Sequence, residues 1–116
     1  MSQPVVWVIS ALQWPRACLR AELIERGFDA VGFAGLGAAL ASLEVTWPAA
    51  IALDLVDLPL SEDELSALAQ AGIPVVLLGG AQETAPEGRR HGAWASILQR
   101  PFTIGQAADA VIAAAA

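Results

Sequence analysis

Asp54 is the residue of this chain best placed to do chemistry. It closes an apolar run within IALDLVDLPL, residues 51–60, where a buried strand should be ending, and Asp57 follows in the same stretch. A carboxylate leaving a strand accepts hydrogen bonds from the N–H groups of the next loop, or it pairs with a cation. His91 and Cys18 are each the sole residue of their kind. Neither a Ser/His/Asp set nor a catalytic cysteine environment can be assembled from them, and a hydrolytic or redox enzyme is not expected. A histidine metal site is excluded in the same way, and His91 reads as an exposed loop or helix-end residue. Cys18 sits in a helical pattern and is expected in the core. Gly35-Leu36-Gly37 and Gly79-Gly80 lack the full spacing of a phosphate cradle and read as turns.

The elements that must position Asp54 follow from periodicity. Val5–Ile9, Ala49–Leu55 and Ile73–Leu78 are continuous apolar runs and predict interior strands. Phe28–Phe33, between Gly27 and Gly35, predicts a weaker strand, and Ala95–Leu98 a short fifth, ended by Arg100-Pro101. Pro15 suits a helical first turn, with Cys18, Leu19, Leu23 and Ile24 as an apolar face up to Gly27. Leu36–Leu43 predicts a second helix, and Ser61-Glu62-Asp63-Glu64 a capping box opening a third that stops at Gly72. Thr84-Ala85-Pro86-Glu87 predicts a short fourth. Thr103-Ile104-Gly105-Gln106 caps the last, with Ile104, Ala108, Val111, Ile112 and Ala115 inward and Ala110, Ala113 and Ala114 outward. Buried strands alternating with helices imply a parallel sheet covered on both faces.

Composition bounds the rest. The 116 residues suit one domain, 1–116, and a 56% hydrophobic content is too apolar for disorder. No apolar stretch reaches the roughly 20 residues of a membrane span, and no charged leader opens the chain, so a soluble cytoplasmic protein is expected. A net charge of −6 without a basic stripe argues against nucleic acid as a partner. Trp7 belongs to the first strand and the core. Trp14, Trp47 and Trp94 fall at loops or element ends, where aromatic residues often anchor interfaces.

PAAIALDL at 48–55, IPVVLLGG at 73–80 and RPF at 100–102, in that order across five strand–helix units, resemble the receiver domain of bacterial two-component response regulators. Arg16 followed by Gly27 and Phe28 matches its first-helix spacing. The resemblance covers the whole chain. It implies an α/β, flavodoxin-like (CheY-like), doubly wound five-stranded parallel sheet of order 2-1-3-4-5 in three α/β/α layers. It also makes Asp54 the equivalent of the phosphoacceptor.

The resemblance fails at the other positions that carry the family's chemistry. Its acidic Mg²⁺-holding pair falls on Ser10 and Ala11, its hydroxyl after the fourth strand on Gly79, and its lysine on Arg100. The first acidic residue of the chain is Glu22, and all six basic residues are arginine. A lone carboxylate holds Mg²⁺ poorly, so no cofactor is expected. Arg100 is expected to grip Asp54 directly, with hydrogen bonds from loop N–H groups to Asp54 as the alternative.

The chain is therefore expected to be a stand-alone, degenerate receiver, or pseudo-receiver, acting through protein–protein contact. Its partner would be a sensor histidine kinase or an output protein. By the family's precedent it would use the fourth helix, fifth strand and last helix, including Trp94, Ile104 and the alanine face, for a partner or for a homodimer. Two alternatives stand beside this reading: a phosphoaccepting regulator with an atypical site at Asp54, and a small-ligand binder using the cleft beside Ser10, Ala11 and Gly79.

Overall fold

Runs with no polar alternation have no face to give to water, and each becomes a strand covered on both sides. The computed structural model describes residues 3–80 and 94–116. In chain order these form β1 (Val5–Ile9), α1 (Gln13–Glu25), β2 (Asp29–Phe33), α2 (Leu36–Ala41), β3 (Ala50–Asp54), α3 (Glu62–Ala71), β4 (Val75–Gly79), β5 (Trp94–Gln99) and α4 (Ile104–Ala115). A 3₁₀ turn, Ser42–Glu44, extends α2. The strands form one parallel sheet in the order β2-β1-β3-β4-β5, which is the doubly wound arrangement the sequence predicts. The fourth predicted helix, at Thr84-Ala85-Pro86-Glu87, and His91 lie outside the described residues.

Period-two alternation sends successive strand residues to opposite cores. Val6, Val8, Ala50, Ala52, Val76 and Leu78 pack under α1 and α4, while Trp7, Ile9, Ile51, Leu53, Val75 and Leu77 pack under α2 and α3. Trp7 is 1% exposed and meets Phe33 edge-on, with ring centroids 4.9 Å apart. Every residue of β3 is buried, Asp54 included.

The helix ends follow the chemistry of their caps. Ser61 and Glu64 form a reciprocal capping box on α3, as do Thr103 and Gln106 on α4. Gly72 closes α3 at φ 74°, a left-handed conformation that glycine enters without a Cβ clash. Arg26, just past α1, ties that helix to α4 through Asp109 and also bonds Glu22. These two carboxylates, Asp109 first, raise its pKa above the ordinary guanidinium value.

Two helix faces differ from expectation. Cys18 is exposed and Ile24 is 49% exposed, leaving Leu19 and Leu23 as the buried residues of α1. The helix is rotated because Arg16 and Arg20, one turn apart, lie over β2 at Gly32, which carries Cys18 round to the solvent side. On α4 the most buried residues are Ala107, Ala108 and Val111, and Ala110 and Ala114 also touch the core instead of facing outward. Small side chains let this helix lie close to the sheet, so its flanks are covered as well.

Candidate functional site

Parallel strands end together at one rim, and here short backbone bonds fix that rim. The Ser10 N–H donates to Phe33 O at 3.0 Å, Leu55 N–H to Leu78 O at 2.8 Å, and Arg100 N–H to Gly79 O at 2.9 Å. Ser10, Asp54, Gly79 and Arg100, which are far apart in sequence, thereby meet at the carboxyl ends of β1, β3, β4 and β5.

Asp54 is 2% exposed and yet carries no unmet hydrogen-bonding capacity. Arg100 grips it with both terminal nitrogens, Nη1 to Oδ1 at 3.2 Å and Nη2 to Oδ2 at 2.9 Å. The Ser10 hydroxyl donates to Oδ2 at 3.1 Å, and the Val56 N–H donates to Oδ1 at 3.2 Å. A carboxylate offers about four lone-pair positions, and four donors fill them, two on each oxygen. The arginine pair and the loop N–H bond, alternatives in the sequence, are both present.

Each partner is itself held. Ser10 Oγ accepts the Leu12 N–H at 3.2 Å, and Arg16 Nη1 donates to Ser10 O at 2.7 Å. The Arg100 guanidinium sits 4.8 Å from the centre of the Phe102 ring, a cation–π distance. Arg16 and Phe102 are the site residues that sequence reasoning left without a role here. Their signals were available, in the first-helix spacing and in the RPF motif.

The remaining candidates separate. Gly79 is the last residue of β4 and is buried; with no side chain it contributes only its carbonyl. Ala11 packs toward the α2/α3 core and gives the site no polar group. Asp57 is exposed at φ 56° in the loop after β3 and does not line the pocket, and Thr84 lies outside the described residues. The pocket beside Asp54, closed in by Pro15, Leu78, Phe102 and Ile104 among others, measures about 20 Å³, room for a single water molecule. Ala11 and Gly79, beside which a small-ligand cleft is expected, do not line this pocket.

The described residues lining the pocket at this rim offer a divalent cation one carboxylate, Asp54. Hard cations take oxygen ligands, usually carboxylates with several retained waters. Here the one carboxylate has both oxygens engaged, its nearest charged neighbour is a guanidinium, and the positions beside it are Ser10 and Ala11. Among the described residues no group of three or more potential metal ligands exists.

The interface candidates also part company. Ala110, Ala113 and Ala114 join Ala95, Ser96 and Leu98 around a groove of about 360 Å³ between β5 and α4. Ile104 lines the Asp54 pocket instead, and Trp94 is partly buried against the α2/α3 core. Trp14 and Trp47 are 78% and 59% exposed.

No family model matches the chain, and no curated protein matches it in sequence. Solved structures do match. A response regulator receiver protein from Pseudomonas putida superposes with a TM-score of 0.80 at 24% identity, covering 97% of this chain and 98% of that one. The receiver domain of the Francisella response regulator 1452 gives 0.79 at 18% identity, covering 97% of each. The beryllofluoride-activated NtrC receiver domain gives 0.74 at 24%, covering 99% of this chain and 96% of its own. The chain thus has the CheY-like fold of response regulator receiver domains. At these identities the likeness establishes the fold, and the chemistry rests on the residues themselves.

Proposed function

We propose that this chain is a receiver-like domain of two-component or phosphorelay signalling that acts by protein contact, without Mg²⁺-dependent phosphorylation of Asp54. The observation that carries this reading is the fourfold engagement of the Asp54 carboxylate. An acceptor oxygen must have a free lone pair and an in-line approach, and the charge gathering on the phosphoryl oxygens must be neutralised. Here the lone pairs are filled by Ser10, Val56 and Arg100, and the pocket beside Asp54 has room for about one water. If each missing electrostatic group costs a factor on the order of 10² to 10³, the loss of the acidic pair and the lysine makes the ordinary reaction too slow to compete.

On this reading the domain is not an enzyme, works in the cytoplasm, and needs no Mg²⁺. Its partner is a signalling protein, either a sensor histidine kinase or an output protein. The groove between β5 and α4 is the surface on which such a partner, or a second copy, would dock. Among the described residues no helix is long and apolar enough to cross a membrane. A partner kinase could rescue phosphotransfer only by first prising Asp54 from its four donors.

The test exposes the full chain to Mg²⁺ with a small-molecule phosphodonor, and separately with beryllofluoride. Intact-mass analysis and ¹⁹F NMR should find no adduct. A stable adduct on Asp54 would overturn the proposal.

A further inference from the structure

Gly32 sits inside β2, where glycine weakens a strand and usually marks a close approach by another group. A Cβ at this position would stand 2.8 Å from Arg20 Cδ and 3.2 Å from Arg16 Cγ and Cδ. Both arginine stems therefore lie directly on the strand. β2 is one of the two outer strands of the sheet. Asp29 donates its N–H to Pro4 O, and Phe33 O accepts the Ser10 N–H, so the backbone groups of the odd-numbered residues face β1. By the two-residue period, Ala30 and Gly32 turn theirs to the open edge. Arg20 reaches that edge, with Nε donating to Ala30 O at 2.9 Å.

The edge needs such cover. On the face of β2 opposite α1, Trp7, Val31, Phe33 and Val45 line a groove of about 310 Å³, and Val45 is 87% exposed. An outer strand with free backbone groups beside apolar surface is a template for pairing, and a charged side chain laid across it is a known way of blunting one. A second copy of the same edge is the natural occupant, because two β2 strands can pair antiparallel about a twofold axis through self-complementary contacts.

We propose that Arg20, seated in the space Gly32 leaves, guards the free edge of β2 against pairing with a second copy of this chain. The proposal is independent of the role given to Asp54. Arg20→Ala removes the guard, and Gly32→Ala crowds the Arg20 stem most and the Arg16 stem less, without deleting any donor and while favouring the strand. Sedimentation of the full-length wild type and both variants, over a concentration series, reads self-association beyond the wild type's own assembly state. Hydrogen exchange then locates it. Both variants should associate at least about tenfold more tightly than wild type, with slowed exchange at the Ala30 and Gly32 amides. Unchanged sedimentation in Gly32→Ala, or association with protection confined to β5, would overturn the proposal.

Discussion

Arg100 and Asp54 form a two-point ion pair in which the partners are unequally buried: the Asp54 side chain is 2% exposed and the Arg100 side chain 30%. The inequality sets which partner the fold can spare. Arg100 can turn toward water, whereas Asp54 has nowhere to go.

Removing the cation should therefore hurt more than neutralising the anion. Arg100→Ala leaves a buried charge with only Ser10 and Val56 as donors, and unfolding in urea should show a loss of about 3 kcal/mol, the low end for breaking a buried pair because Arg100 is partly exposed. Asp54→Asn carries no charge to bury and should lose about 1 kcal/mol. The double variant should be more stable than Arg100→Ala alone, a non-additivity expected of groups in direct contact. Equal losses from the two single variants would mean that the unequal burial does not decide which partner the fold can spare.

Restoring the missing groups should restore the chemistry. Ser10→Asp and Ala11→Asp supply hard oxygen ligands, and Arg100→Lys replaces the two-point grip with a point charge. The triple variant should bind Mg²⁺, measured by calorimetry, and form a beryllofluoride adduct that wild type does not. Arg100→Lys alone should gain neither. If it bound Mg²⁺ as the triple variant does, the lack of carboxylates at positions 10 and 11 would not be what keeps the cation out.

The sheet could be read in the sequence because its strands are continuous apolar runs and its helices carry explicit caps. Ser61, Thr103 and Gly72 each act where their type implies. The Asp54–Arg100 meeting was also readable, since the strand ends of a parallel sheet share one rim. Packing that depends on rotation about a helix axis was not. Cys18 and Ile24 share an apolar spacing with Leu19 and Leu23, and only the two arginines over Gly32 decide which side faces the sheet. Nor could spacing show that Ile104 closes the Asp54 pocket while Ala110 and Ala114 border the groove beside β5. That outcome depends on how closely an alanine-rich helix settles.

The capping boxes give a graded test of local stability. Ser61→Ala and Thr103→Ala each remove the acceptor for an N3 backbone N–H and should cost about 1 kcal/mol. Gly72→Ala forces a Cβ into a left-handed backbone and should cost a similar amount, about 1 kcal/mol. Thermal melts monitored by circular dichroism would rank them. A neutral Thr103→Ala would mean that α4 is held by its packing on α1 and the sheet rather than by its cap.

The groove between β5 and α4 separates docking from folding. Ala113 is exposed on its rim, whereas Ala110 and Ala114 are partly buried in the core packing. Ala113→Glu adds a charge at the surface without entering the core, so its melting temperature should stay within about 2 °C of wild type, as a surface change of under about 0.5 kcal/mol implies. If a second copy docks on this groove, sedimentation should find the wild type dimeric at high concentration and Ala113→Glu monomeric. Ala114→Glu should disturb dimer and fold together, because its side chain has core neighbours to displace. A wild-type dimer that survives Ala113→Glu with unchanged affinity would remove this groove from the proposed contact surface and leave the exposed Trp14 and Trp47 as the sites to test next.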